Sequence, residues 1–256
     1  MIDSYPMPRE RNSILISLGV LTVGAWAFLI WQSSMVDNQA IGLTMDMGAP
    51  LFMANWVAMM VAIMFPTAAP MILVFAKVYA DKRQQGKAFV PTWVFVASYL
   101  TVWTVFGVLA FAAALVTERL MAQSLWLMSN AARLGGGILV LAGLYQLSPL
   151  KRSCLAKCRT PLSFILNSWR DGYGGAFRMG LEHGVYCTGC CWLLFIILFP
   201  LGIMNVAIMA VITLLIFAEK STRIGQQMAQ LAAALLIAYG LLVVFIPDAL
   251  PTMMKA

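Results

Sequence analysis

Charge is what this sequence is short of. Asp, Glu, Lys and Arg make up only 11% of its 256 residues, against roughly 25% in soluble domains. Hydrophobic residues make up 62%. That balance excludes a long soluble domain. Histidine occurs once and cysteine five times. No phosphate-binding Gly-rich loop is present, so pumping driven by ATP is excluded. There is no Gly-x-Ser-x-Gly elbow and no His-Glu-x-x-His pair, so the common hydrolase and zinc-protease chemistries have no footing. Low-complexity tracts and convincing internal repeats are also missing. No residue is assigned a catalytic role.

What is there is apolar sequence in long runs. About 20 such residues cross the hydrocarbon core of a bilayer as a helix. Seven stretches qualify, near 13–31, 51–79, 91–117, 129–147, 174–199, 203–219 and 227–246. The reading is an all-α, polytopic transmembrane bundle of about seven spans, forming one membrane domain over 1–256. The N-terminal run follows Arg9 and Arg11 but has no small-residue cleavage site after it, so a retained first helix is expected. Pro66 and Pro70 predict a kink in the second span. Pro200 and Gly202 split one very long apolar segment into two helices.

The basic residues give the orientation. The net charge of +7 is not a sign of nucleic-acid binding, because the basic residues gather in particular loops. With a cytoplasmic N-terminus, the inner loops hold Lys82, Arg83, Lys87, Lys151, Arg152, Lys157, Arg159, Arg170, Lys220 and Arg223. The first outer loop, 32–50, holds Asp37 and Asp46 but no Lys or Arg. Only Arg119 and Lys255 fall clearly outside. This bias obeys the positive-inside rule and puts the N-terminus in the cytoplasm. Residues 150–173 are too polar to span. Leu150, Leu155, Leu162, Ile165, Leu166 and Trp169 alternate there with basic residues, as in an amphipathic segment lying at the cytoplasmic interface. Glu219 and Lys220 read as an anchor at the end of the sixth helix. Gly135, Gly136, Gly137 and Gly143 permit close helix packing.

Against this apolar background three groups of metal-ligating residues stand out. His183, Cys187, Cys190 and Cys191 share one run. Polar and thiol groups at membrane depth are costly, and a cluster of them marks a functional site. On a regular helix the first three fall within about 60° of arc, but His183 and Cys190 lie about 10 Å apart along the axis. One ion therefore does not reach all four without local unwinding, which Gly184 and Gly189 permit. Glu182 points about 100° away from His183 and serves either as its supporting partner or as a helix-end marker. Cys154 and Cys158 sit one helical turn apart among Lys151, Arg152, Lys157 and Arg159, whose charge is expected to lower the thiol pKa. Met45 and Met47 lie in the outer loop, and Met53, Met59, Met60 and Met64 follow along the second span. Thiolate and thioether sulfur select Cu(I), although thiolate and imidazole also suit zinc. The plainer alternative for each group is packing: small buried cysteines, incidental surface thiols and gap-filling methionines.

These residues carry a family resemblance. Trp56, Met59, Met60 and Pro66, the run from Pro149 through Cys154 and Cys158 to Pro161, the run from Gly180 through His183, Cys187, Cys190 and Cys191 to Trp192, then Gly202, Met204 and Asn205, and finally Glu219 and Lys220, together resemble the predicted metal-binding integral membrane proteins. These were long classed as a bacterial domain of unknown function. Some members are described as copper chaperones for tyrosinase-type polyphenol oxidases. The resemblance covers roughly 45–246, leaving 1–44 as an N-terminal helix and outer loop and 247–256 as a tail. It implies a Cu(I)-handling chaperone or accessory factor whose partners are the lipid bilayer and a copper-enzyme client. Two other readings stay open: a transmembrane thiol–disulfide electron carrier, and a structural subunit of a larger membrane complex.

Overall fold

The computed structural model describes residues 8–35, 43–44, 47–84 and 90–250. Met45 lies outside these residues, as do Asp37, Asp46, Lys87 and Lys255. The described residues form helices joined by short turns. In chain order these are α1 (Pro8–Met35), α2 (Ala49–Gln84), α3 (Thr92–Gln123), α4 (Leu125–Ser129), α5 (Ala131–Gln146), α6 (Pro149–Arg159), α7 (Pro161–Ser168), α8 (Gly172–Ile196), α9 (Leu198–Leu201), α10 (Val206–Ser221) and α11 (Gly225–Phe245).

Every one of the seven expected spans corresponds to a helix, but among the described residues five helices are long and apolar enough to cross a membrane. These are Glu10–Met35, Ala49–Lys82, Thr92–Gln123, Gly172–Leu201 and Gly225–Phe245. The exceptions are α5 and α10, of 16 residues each. At 1.5 Å per residue they reach about 24 Å, short of the roughly 30 Å of a hydrocarbon core. Helix α2 runs unbroken through Pro66 and Pro70 for 36 residues. The Thr67 hydroxyl, between the two prolines, donates to the Met64 carbonyl at 3.0 Å. The apolar run after α8 is interrupted where Gly202 takes φ +97°, a left-handed conformation that glycine adopts without strain. Asn205 then caps α10, its side-chain oxygen accepting from the Ile208 amide at 3.2 Å.

Small residues set how closely the helices approach. Helices α5 and α11 make the most extensive pairing in the fold. A Cβ on Gly136 would stand 2.8 Å from the Gly240 carbonyl oxygen, and one on Gly240 would stand 2.7 Å from that of Gly136. Gly143 abuts the Ala233 carbonyl in the same way, while Gly137 faces open space. The second close pair is α3 with α8. Gly180 leaves no room for a methyl group against Ser98 and the Phe95 carbonyl, and Gly184 sits against Val102. This contact presses α8 onto α3 and fixes the height of everything that α8 carries. Gly180→Ala is therefore expected to force the two helices apart, at a cost of about 1–3 kcal/mol. A lower thermal unfolding midpoint in detergent checks this.

The stretch 150–173 forms two short helices. Helix α6 packs on α8, and α7 packs on α2. Leu150, Leu162 and Leu166 face outward, while Leu155, Phe164 and Ile165 are buried. Each end of α6 is tied to α10. Lys151 Nζ meets Glu219 Oε2 at 2.7 Å, and Arg159 donates to the Thr222 carbonyl at 2.7 Å.

Candidate metal centre

Helix α8 brings Cys187, Cys190 and Cys191 to its buried side. Spacings of three and four residues put them on neighbouring turns of one face. The Cys190 and Cys191 sulfurs lie 3.1 Å apart, and Cys190 also donates to the Cys187 carbonyl at 3.1 Å. Cys158, half-buried on α6, packs against the same core, and its titration feels Cys187 and Cys190. From α3, the Tyr99 hydroxyl lies 3.1 Å from Cys187 Sγ. From α2, Met64 Sδ lies 3.8 Å from the same sulfur. Lys220, near the end of α10, donates to Cys187 at 3.1 Å and extends toward Thr67 at 3.5 Å. Cys187 is thus the hub, touched from three other helices.

The cluster draws in residues that the sequence left elsewhere. Lys220 is not an end anchor: its ammonium turns inward onto a sulfur. Glu219 is buried, 1% exposed, and paired with the equally buried Lys151. Gln146 completes that network, donating to Glu219 Oε1 at 3.1 Å and accepting from Lys151. A lysine closing an otherwise apolar helix carried the signal, since a charge near membrane depth faces a partner or a pathway. Tyr99 gave no such signal, being one more aromatic in an apolar helix.

The other expected residues are placed as follows. His183 is buried one turn before Cys187, its ring flanked by Phe95, Tyr99 and Phe164 at centroid distances of 5.9, 5.3 and 5.6 Å. Among the described residues its Nδ1 has no hydrogen-bond partner. Glu182 does not support it; that carboxylate accepts from Ser168 at 3.2 Å. Cys154 stands apart from the thiol cluster, its sulfur against Gly189, where a Cβ would lie 2.9 Å away. The surrounding basic residues do not lower the thiol pKa on α6. Burial pushes Cys154 up. Cys158 is pushed well up, first by its hydrogen bond to Cys187, with burial adding to it and Cys190 opposing. Met47 lies far up α2 from the thiols and accepts from Asn55 Nδ2 at 3.2 Å.

Among the described residues, no three His, Cys, Asp or Glu side chains are arranged to hold one metal ion. The thiols meet pairwise, with a thioether and an ammonium beside them. A tetrahedral zinc site needs four nitrogen, oxygen or sulfur donors about one point. A soft monovalent cation asks less and prefers sulfur, so the donor set fits Cu(I). The orphaned His183 nitrogen adds a soft imidazole on the same helix.

Fold and site together define a class: an all-helical chain that buries a sulfur cluster among helices of membrane-crossing length. The chain belongs to the PpoB2 family, described as copper chaperone, which matches residues 53–243. No curated protein and no solved structure matches it.

Proposed function

We propose that this protein is an integral membrane chaperone that holds Cu(I) at the Cys187 cluster and passes it to a copper enzyme. The observation that carries the reading is the Lys220 ammonium at 3.1 Å from the hub sulfur. A thiolate that gives up a cation in a low-dielectric interior is left as an uncompensated charge, which is costly. Lys220 supplies the alternative partner. With Cu(I) bound, the metal balances the sulfur; when it leaves, the ammonium does. The site can then release its cargo without stranding a charge, as a chaperone requires.

Cys158, Cys187, Cys190 and Cys191 are the sulfur ligands in this reading, with Met64 beside them and His183 adjacent. Cys154 serves as a delivery thiol on the same face of α6. Met45 and Met47 belong to the outer end. The orientation is N-terminus inside, with seven crossings of a bacterial inner membrane. Helices α5 and α10 cross as short spans between longer neighbours, and α6 and α7 lie at the cytoplasmic face. The positive-inside bias supports this arrangement. So do the exposed apolar side chains along α1, among them Ile16, Val20 and Val23, which suit lipid contact.

The test is elemental analysis of protein purified anaerobically from washed membranes, paired with reporters fused at the C-terminus. Copper is expected near stoichiometric level and the reporter on the outer side. Copper-free protein that takes up no Cu(I) would sink the reading.

One contact favours a second reading. Cys190 and Cys191 sulfurs 3.1 Å apart are close enough for thiol–disulfide chemistry. A membrane electron carrier would use them with Cys158 as the exchanging thiol. Full transfer activity in metal-free protein would favour that reading over copper.

A further inference from the structure

Beside the N-terminal third of α2, about a turn and a half before Met64, lies a small cavity of about 10 Å³, room for one water-sized guest. Nine residues line it, and four of them are methionines: Met47, Met59, Met204 and Met209. They come from three separate places in the chain. Met47 precedes α2, Met59 is on α2, and Met204 and Met209 flank the start of α10. All four are nine-tenths or more buried. Methionine readily fills irregular gaps, but here four from three parts of the chain border a single void.

Asn55 makes the second observation. Its side chain lines the cavity and is 5% exposed. Its Nδ2 donates to Met47 Sδ at 3.2 Å, which orients that sulfur. Its Oδ1 has no hydrogen-bond partner among the described residues. A buried carbonyl left unsatisfied costs about 1–3 kcal/mol. The chain before α2 is also held in place: the Thr44 amide donates to Glu118 at 2.8 Å, and the Met47 amide to the Thr44 carbonyl at 3.1 Å.

We propose that Met47, Met59, Met204 and Met209, assisted by Asn55, form a second Cu(I) site, composed of thioethers and distinct from the thiol cluster. It rests on the reading of the thiol cluster as a Cu(I) site and gives the cargo a next position. The two sites share α2. Met59 borders the cavity and Met64 touches Cys187, five residues or about 7.5 Å further along the axis. Met60, buried 1% exposed, lies between them. Thioethers bind without losing a proton, whereas thiols must deprotonate, so acid weakens the two sites unequally.

Full-length apo-protein in detergent, titrated anaerobically with Cu(I) against a chromophoric Cu(I) chelator at about pH 7 and about pH 5.5, separates them. Wild type is expected to show an acid-sensitive class and an acid-insensitive class of bound Cu(I). Met59→Leu/Met204→Leu/Met209→Leu is expected to lose only the acid-insensitive class, and Cys187→Ser/Cys190→Ser only the other. Leucine approximates methionine in volume, so the fold is expected to tolerate the exchange. Should the triple variant not fold, Met209→Leu alone is expected to weaken the acid-insensitive class about tenfold. A methionine variant that matches wild type at both pH values overturns the thioether site and leaves the thiol reading standing. A cysteine variant that matches wild type overturns the thiol reading instead. No uptake by wild type overturns both.

Discussion

Cys187→Ser is expected to lower bound Cu(I) at least about tenfold, a loss of about 1.4 kcal/mol or more in binding. Cys187 is the common member of the contacts to Tyr99, Met64 and Lys220. A serine hydroxyl is a hard donor and a poor ligand for a soft cation. The substitution also leaves the Lys220 ammonium facing a neutral oxygen, so a cation at this point meets repulsion where it met a thiolate. Cys154→Ser is the control. Its sulfur packs on Gly189, outside the cluster, and copper content is expected to stay near the wild-type value. Copper-to-protein ratios of the two variants, measured side by side, check both statements. Equal loss in both would mean that α6 and α8 act as one unit and that Cys187 has no special place.

Glu219→Leu is expected to cost the fold about 3–5 kcal/mol. Glu219 and Lys151 are each 1% exposed and meet at 2.7 Å, with Gln146 bonded to both. Removing the carboxylate leaves an ammonium in a dry interior and strips Gln146 of its acceptor. Removing both charges differs, because a buried ion pair replaced by apolar side chains of similar volume is often neutral or better. Lys151→Met/Glu219→Leu is therefore expected to recover most of the loss. Thermal unfolding midpoints of the single and double variants in detergent decide the matter. A single variant as stable as wild type would show that the pair contributes nothing to holding α6 on α10.

Much of this was legible in the sequence because period and spacing report local geometry. Each of the seven apolar runs corresponds to a helix, five of them of membrane-crossing length among the described residues. The three- and four-residue spacing of Cys187, Cys190 and Cys191 placed them on one face of α8. Pro200 and Gly202 marked the break before α10. What escaped was long-range or quantitative. Lys220 reaches Cys187 across 33 positions of sequence, and no local pattern joins an apolar helix end to a thiol on another helix. Tyr99 and Met64 meet the same sulfur across 88 and 123 positions. The pKa expected for the α6 thiols failed because sequence shows which charges are near but not which side chains are buried. The Cys154 sulfur faces Gly189, and burial outweighs the neighbouring Lys and Arg. The pairing of Glu219 with Lys151 was hidden for the same reason: sequence records two charges, and only packing shows that they neutralise each other.

The α6–α7 pair has a consequence for how cargo and solvent reach the cluster. Phe164 on α7 lies 5.6 Å from the His183 ring, and Cys158 on α6 packs against the same core. Lifting α7 would uncover the imidazole, and lifting α6 would carry Cys158 away from that core. Lys151 and Arg159 tie α6 to α10 and oppose that movement.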